Sequence, residues 1–306
     1  MPSWRELLGE IQAAAGTYDV IRRKYLEQLS ERTGRNTIVY YSGWLDKSHI
    51  ARQYPEPFSV NDSDKNAFMT AIHGMDRSKG LDLLLHTPGG DVAAAESLVR
   101  YLRAMFDTDI RAVVPQLAMS AGTMISCACK EIVMGLHSSL GPIDPQMNGL
   151  PAHGIVEEFN RAKKDIMENQ ATIPLWQPII GKYHPTLIGE AEKAITWSQS
   201  IVVDWLASGM FKECGDGEAR EKAEHVVAEL GDPQLTYSHA RHIDFDAAEK
   251  AGLKVVALEA DDDLQNDFLT VHHACMLTMS STAAVKLIEN QNGDAAIQTM
   301  NAVPGY

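Results

Sequence analysis

Basic residues are scarce in this chain. Its 27 lysines and arginines face 41 aspartates and glutamates, a formal charge of −14. Binding to a phosphate backbone depends on clustered cations that release counterions, so nucleic acid is not expected as a partner. Phosphate loops are missing as well: neither G-x-G-x-x-G nor G-x-x-x-x-G-K-[ST] occurs, which leaves nucleotide binding by either loop unsupported. Only four cysteines are present, two of them in Cys127-Ala128-Cys129, a segment that reads as buried helix. They fit small apolar fillers in a reducing compartment, not a disulfide framework or a metal site. The paired histidines His239/His242 and His272/His273 lack a carboxylate or cysteine at ligand spacing on a helix, so no metal is expected and no cofactor is implied. No long apolar run occurs either. The segment nearest to one, from Ala112 to Cys129, is interrupted by Pro115, Gln116, two serines and Gly122, so no membrane span is expected. The first ten residues lack a basic start followed by an apolar core. The expected location is the cytoplasm.

What remains is a chain of 306 residues with 45% hydrophobic content, enough for a full core. Its chemistry concentrates in two stretches, His86-Thr87-Pro88-Gly89-Gly90-Asp91 and Ala118-Met119-Ser120-Ala121-Gly122-Thr123. Each follows an apolar strand. Leu81 to Leu85 is nearly continuous, as in a parallel strand covered on both faces, and Ile110 to Val114 is rich in β-branched residues. A helix follows each stretch: Asp91 is placed to cap one whose apolar positions are Val92, Ala95, Val99, Leu102 and Phe106, and Ser120 opens a small-residue helix. The first amides of a helix have no intrahelical partner and attract negative charge. Gly89-Gly90 allows a second backbone amide to come close. A serine hydroxyl between two convergent N–H donors is the minimum apparatus for acyl transfer.

The order of these pieces is specific. Apolar strand, His-Thr-Pro-Gly-Gly, helix, strand, Ala-Met-Ser-small-Gly-Thr, then Glu131-Ile132-Val133-Met134 and Leu140-Gly141-Pro142-Ile143-Asp144-Pro145-Gln146 resembles the serine dehydrogenase proteinase family. That family is related to signal peptide peptidase A and, more distantly, to the proteolytic subunit of the Clp protease. The resemblance covers roughly residues 35 to 165, with a weaker echo near 238 to 256. It implies an α/β fold of the ClpP/crotonase type, a spiral of repeated ββα units with added N- and C-terminal helices. The expected divisions are 1–34 for an N-terminal helical extension, which could form an oligomer contact, 35–260 for the peptidase domain, and 261–306 for a helical extension ending in a loosely ordered tail from Gly293.

The resemblance further implies a serine peptidase acting on peptides or proteins without an ATPase of its own, assembled as a homo-oligomer. Ser120 is the expected nucleophile, with Gly89, Gly90 and Ala121 as oxyanion donors. Clp-type enzymes carry a histidine about two dozen residues after the serine; here that zone holds Ile143, Asp144 and Pro145. The signal peptide peptidase type uses a lysine on a later helix, and two are available, Lys163 and Lys164. Lys163 borders the apolar face set by Ile155, Phe159, Ala162 and Ile166, where desolvation would bring its pKa towards neutrality, and it is the expected base. Lys164 is the second choice. Asp144 and His86 are expected in supporting roles, His86 by ordering the Gly-Gly loop. Two other readings share the fold: a crotonase-type enzyme acting on acyl thioesters, and a non-catalytic peptide-binding or assembly protein.

Overall fold

Alternation along the central strands decides the architecture. In β1 (Asn36–Ser42), Ile38 and Tyr40 enter one apolar layer while Val39 and Tyr41 enter another, and every residue of the strand is buried. Side chains on a strand point to opposite faces in turn, so β1 must be covered on both. The computed structural model describes residues 4–14, 16–147, 149–231 and 241–300.

Two helices precede the sheet, α1 (Trp4–Ala13) and α2 (Tyr18–Thr33). After β1 come α3 (Ser48–Gln53), α4 (Ser63–Ile72), β2 (Leu81–His86), α5 (Val92–Phe106), β3 (Ile110–Val114), β4 (Leu117–Ala118), α6 (Ala121–Cys127), β5 (Glu131–Met134) and β6 (Ser139–Leu140). A short hairpin, β7 (Gln146–Met147) and β8 (Leu150–Pro151), leads into α7 (Ala152–Glu168), α8 (Ile173–Ile180), α9 (Leu187–Ser208) and α10 (Asp216–Gly231). The described chain closes with α11 (Phe245–Lys250), β9 (Val255–Ala257), α12 (Asp262–Ser281), β10 (Ala284–Asn290) and β11 (Ala295–Thr299).

Seven strands form the main sheet in the order β11-β10-β1-β2-β3-β5-β9. β1, β2, β3, β5 and β9 run parallel, and β10 and β11 add an antiparallel margin. One face packs against α4, α5, α6, α9 and α10 through Phe68, Leu98, Met124, Leu206 and Val226. The other packs against α2 and α12 through Leu26, Leu29, Phe268 and Cys275. The ββα plan is visible where strands leave the sheet: Thr87 after β2, β4 after β3 and β6 after β5 lie side by side as a second set of short parallel pairings, and α5 and α6 start from the first two.

Both terminal segments are built into the fold. Leu7, Ile11 and Ile21 pack with Leu277 of α12, while Trp4 of α1 and Val20 of α2 stay exposed. The tail expected from Gly293 is instead strand over 295–299: β11 pairs with β10, and β10 pairs with β1. β10 conceals this by carrying Lys286, Glu289 and Asn290, all buried. Glu289 is met by Arg22, which is fully buried, and by Arg23 at 2.6 Å. Paired in this way, a charge is tolerated inside.

Candidate active site

Ser120 sits between β4 and α6 with φ 51° and ψ −112°, a conformation that L side chains rarely adopt. Its neighbours leave it no alternative. The Met119 N–H bonds to Thr87 O at 3.0 Å, the Gly122 N–H to Met119 O at 2.8 Å, and the Met124 N–H to Ser120 O at 3.0 Å, so the chain must reverse within one residue to leave β4 and enter α6. Thr123 Oγ1 lies 2.8 Å from Ala118 O and 2.9 Å from Gly141 O, donating to one at a time, and accepts from the Gly141 N–H at 2.9 Å. The turn is thereby tied to the loop that follows β6. Strain of this kind persists only where surrounding structure over-determines it, and it concentrates at functional sites.

The Pro-Gly-Gly loop lies directly against this turn. A Cβ placed on Gly89, whose φ is 93°, would stand 2.7 Å from Ser120 Cβ and 3.0 Å from Ala121 N. Only glycine permits that approach. The next residue is pinned from outside: the Val60 N–H bonds to Gly89 O at 2.8 Å and the Asp91 N–H to Val60 O at 2.9 Å, a parallel bridge that leaves the N–H of Gly90 facing away from Val60. Gly89 N donates to Thr87 Oγ1 at 3.2 Å. Asp91 caps α5, accepting from the Ala94 N–H at 2.8 Å. Ala121, the first residue of α6, has no carbonyl one turn earlier to receive its N–H within the helix.

These residues open on a cavity of about 810 Å³. Ser120, Gly89 and Gly90 form its floor, residues 59–63 and Trp197 of α9 its walls, and Pro145 and Gln146 a rim. Sequence reasoning missed residues 55–63 and Trp197. The signal for the first was the cluster Pro55-Glu56-Pro57 and Asn61-Asp62-Ser63 between two buried elements, which marks a structured loop. Trp197 offered none beyond its half-exposed place on an amphipathic helix.

The expected base is elsewhere. Lys163 and Lys164 are both exposed on α7, and no lysine or histidine is among the described residues that line the cavity. α7 buries Ala152 and Ile155 against α9, with Phe159 beside them, and Ala162 is buried further along the same helix. One position past Ala162, Lys163 is turned about 100° away, into solvent. The desolvation expected of it is therefore not supplied by this packing. Asp144 is half-buried in the loop beside Pro145, next to the cavity rim. His86 takes no part in ordering the Gly-Gly loop by hydrogen bonding. Fully buried at the end of β2, its ring lies 4.3 Å from that of Trp44 and 5.4 Å from that of Tyr41, and neither nitrogen has a hydrogen-bond partner among the described residues. Burial lowers its pKa to about 3. Thr87 performs the ordering instead.

The cysteines are spectators. All four are free, and burial pushes Cys129 up to about 12 and Cys127 higher still. Among the described residues no group of His, Cys, Asp or Glu could hold a metal ion. His239 lies outside the described residues, and His272 of the second pair bonds through Nδ1 to the Tyr41 hydroxyl at 3.1 Å. No helix among the described residues is long and apolar enough to cross a membrane.

A serine at a forced turn, two close glycines and a ββα sheet define a protein of the ClpP-like serine peptidase class. The chain belongs to the ClpP-like SDH-type serine proteinase family, whose model matches residues 54–262. Two relatives come from Methanocaldococcus jannaschii. The uncharacterized protein MJ0137 is 30% identical over 76% of this chain and 73% of its own length. The uncharacterized protein MJ1495 is 27% identical over 64% of this chain and 61% of its own. Among solved structures, a serine-to-alanine mutant of the 1510-N membrane-bound stomatin-specific protease aligns with 16% identity and a TM-score of 0.36, over 69% of this chain and 79% of that one.

Proposed function

We propose that this protein is an ATP-independent serine peptidase in which Ser120 attacks the peptide carbonyl, Lys163 takes its proton and returns it to the leaving amine, and the amides of Gly90 and Ala121 hold the oxyanion. The observation that carries the reading is the positive φ of Ser120 with Gly89 packed against it, at the floor of a cavity large enough for several residues of a peptide. A hydroxyl so presented is useful only to something in that cavity. In this reading the two amides donate to the developing tetrahedral oxygen, and each such donor is worth about 10²–10³ in turnover. Because Lys163 lies in solvent on α7, the role assigned to it requires the α7–α9 pair to close over the cavity, with Trp197 at its edge, when substrate or another subunit is bound. Assembly into a homo-oligomer fits the same region, where Met167 is 76% and Leu175 69% exposed.

The test is hydrolysis of fluorescein-labelled casein. Turnover by the wild-type protein that disappears in Ser120→Ala supports the reading. Turnover that survives the substitution, or binding of coenzyme A thioesters by a protein inert towards casein, removes it in favour of the thioester enzyme.

A further inference from the structure

Val60 links the Gly-Gly loop to the cavity wall. Its N–H and C=O hold Gly89 and Asp91, and so fix the direction of the Gly90 amide. What holds Val60 comes from the far end of the chain. On one side of it, Ser59 O accepts from Lys286 Nζ at 2.6 Å; on the other, the Asn61 N–H donates to Asp64 Oδ2 at 3.0 Å. Lys286 and Asp64 are themselves an ion pair, 2.7 Å apart and each 1% exposed. The remaining carboxylate capacity is taken by the Tyr40 hydroxyl, 2.5 Å from Asp64 Oδ2. Lys286 belongs to β10, where it pairs with Ser42 of β1, and Tyr40 to β1 itself. A rigid sheet thus reaches through one buried ion pair to both neighbours of the residue that orients the Gly-Gly loop.

We infer that Lys286 and Asp64 are positioning residues for the oxyanion hole, acting through Val60 on the Gly90 amide without touching substrate. A buried ion pair rarely stabilises a fold more than apolar residues of the same volume would, and its best-supported use is to specify one arrangement. Here the arrangement specified is that of a loop on the cavity wall. The loop has two turn-forming prolines, Pro55 and Pro57, and apart from Phe58 and Val60 buries little apolar surface. Without the pair, Val60 would lose its reference to the sheet, and its bridge to the Gly-Gly loop, made by the Val60 and Asp91 N–H groups, would loosen. A displacement of about 1 Å at a reacting group can cost on the order of 10²-fold in rate.

This inference rests on the peptidase reading, and the experiment separates the two. Fluorophosphonate–rhodamine is the probe, with kinact and KI measured for the wild-type protein, Lys286→Met, Asp64→Asn and the uncharged pair Lys286→Met/Asp64→Asn, which carries no lone buried charge should either single variant fail to fold. Amide hydrogen exchange is followed at Val60 and Asp91. The inference predicts kinact lower by about 10²-fold, KI within about twofold, and faster exchange at both amides with α5 unchanged. A pair that merely holds the fold together would lower the labelled fraction and leave kinact of the folded remainder at the wild-type value; that result overturns the inference and spares the peptidase. A wild-type protein that never reacts sinks the peptidase reading, and unchanged exchange at Val60 and Asp91 then overturns the positioning role on its own.

Discussion

Replacing Ser120 by glycine and by alanine should give stabilities in the reverse of their usual order. At an ordinary helical or extended position, glycine is the less stable choice by roughly 0.5–1 kcal/mol, because the unfolded chain has more freedom to lose. At φ 51° and ψ −112°, a Cβ is strained by about 1–3 kcal/mol. Alanine keeps that strain, since its Cβ sits where the serine's does. Glycine releases it. Setting the relief against the entropy leaves Ser120→Gly more stable than Ser120→Ala by about 1 kcal/mol, a difference of roughly 1–2 °C in melting temperature for a chain of this size. Both variants lose the hydroxyl and must be inert towards a fluorophosphonate, so the stability difference is read free of any adduct. Urea unfolding of the two variants side by side, with equal slopes, is the assay. If alanine proves the more stable by 0.5 kcal/mol or more (the helix-interior order of about that size), the strained turn does not exist and the argument that Ser120 is presented by backbone strain falls with it.

Three further outcomes are expected. Gly89→Ala, which would drive a methyl to 2.7 Å from Ser120 Cβ, should lower fluorophosphonate labelling by about 10²–10³-fold while the protein stays folded by circular dichroism; labelling within a few-fold of wild type would show that the loop does not border the reacting atoms. Lys163→Ala should lower labelling by at least about 10²-fold and Lys164→Ala by less than about threefold, and equal retention in both would remove the lysine dyad. Acid should destabilise the protein through His86, held neutral by burial down to about 3 from an ordinary 6.5. Above about 6.5 neither state binds the proton; as the pH falls below that value the unfolded chain takes it up and the native state does not, so stability is lost at about 1.4 kcal/mol per pH unit, or about 2 kcal/mol at about pH 5. His86→Phe, a ring of similar size among Trp44 and Tyr41, should flatten that dependence in thermal melts between about pH 7.5 and about pH 5; an unchanged slope would assign the acid lability elsewhere.

The parts of this molecule that were legible in the sequence are those whose cause is local. Leu81 to Leu85 reads as a strand covered on both sides because its run of apolar residues has no other use, and β2 is fully buried. Asp91 announces the start of α5, and its carboxylate makes the expected bond to the Ala94 N–H. Ser120 was placed at a helix start by the small residues behind it. What was hidden depends on partners remote in the chain. Residues 284–290 were not read as a strand, because the groups that neutralise Lys286 and Glu289, namely Asp64, Arg22 and Arg23, lie more than two hundred residues away. Residues 55–63 were not read as part of the site, because their place beside it appears only when Val60 meets Gly89 and Asp91. The solvent exposure of Lys163 was hidden for a geometric reason: it lies one position past Ala162, the last buried residue of α7. His86 carried no warning that its side chain would alternate away from the loop it precedes, to the face packed by α12.

The central claim, an activated Ser120 at the floor of the cavity, is tested most directly by treating the purified protein with a fluorophosphonate and locating the adduct by mass spectrometry. The account predicts one adduct, on Ser120, absent from Ser120→Ala and strongly reduced in Gly89→Ala. An adduct on another residue, or none under conditions that label a control serine peptidase of the Ser/Lys type, would contradict it.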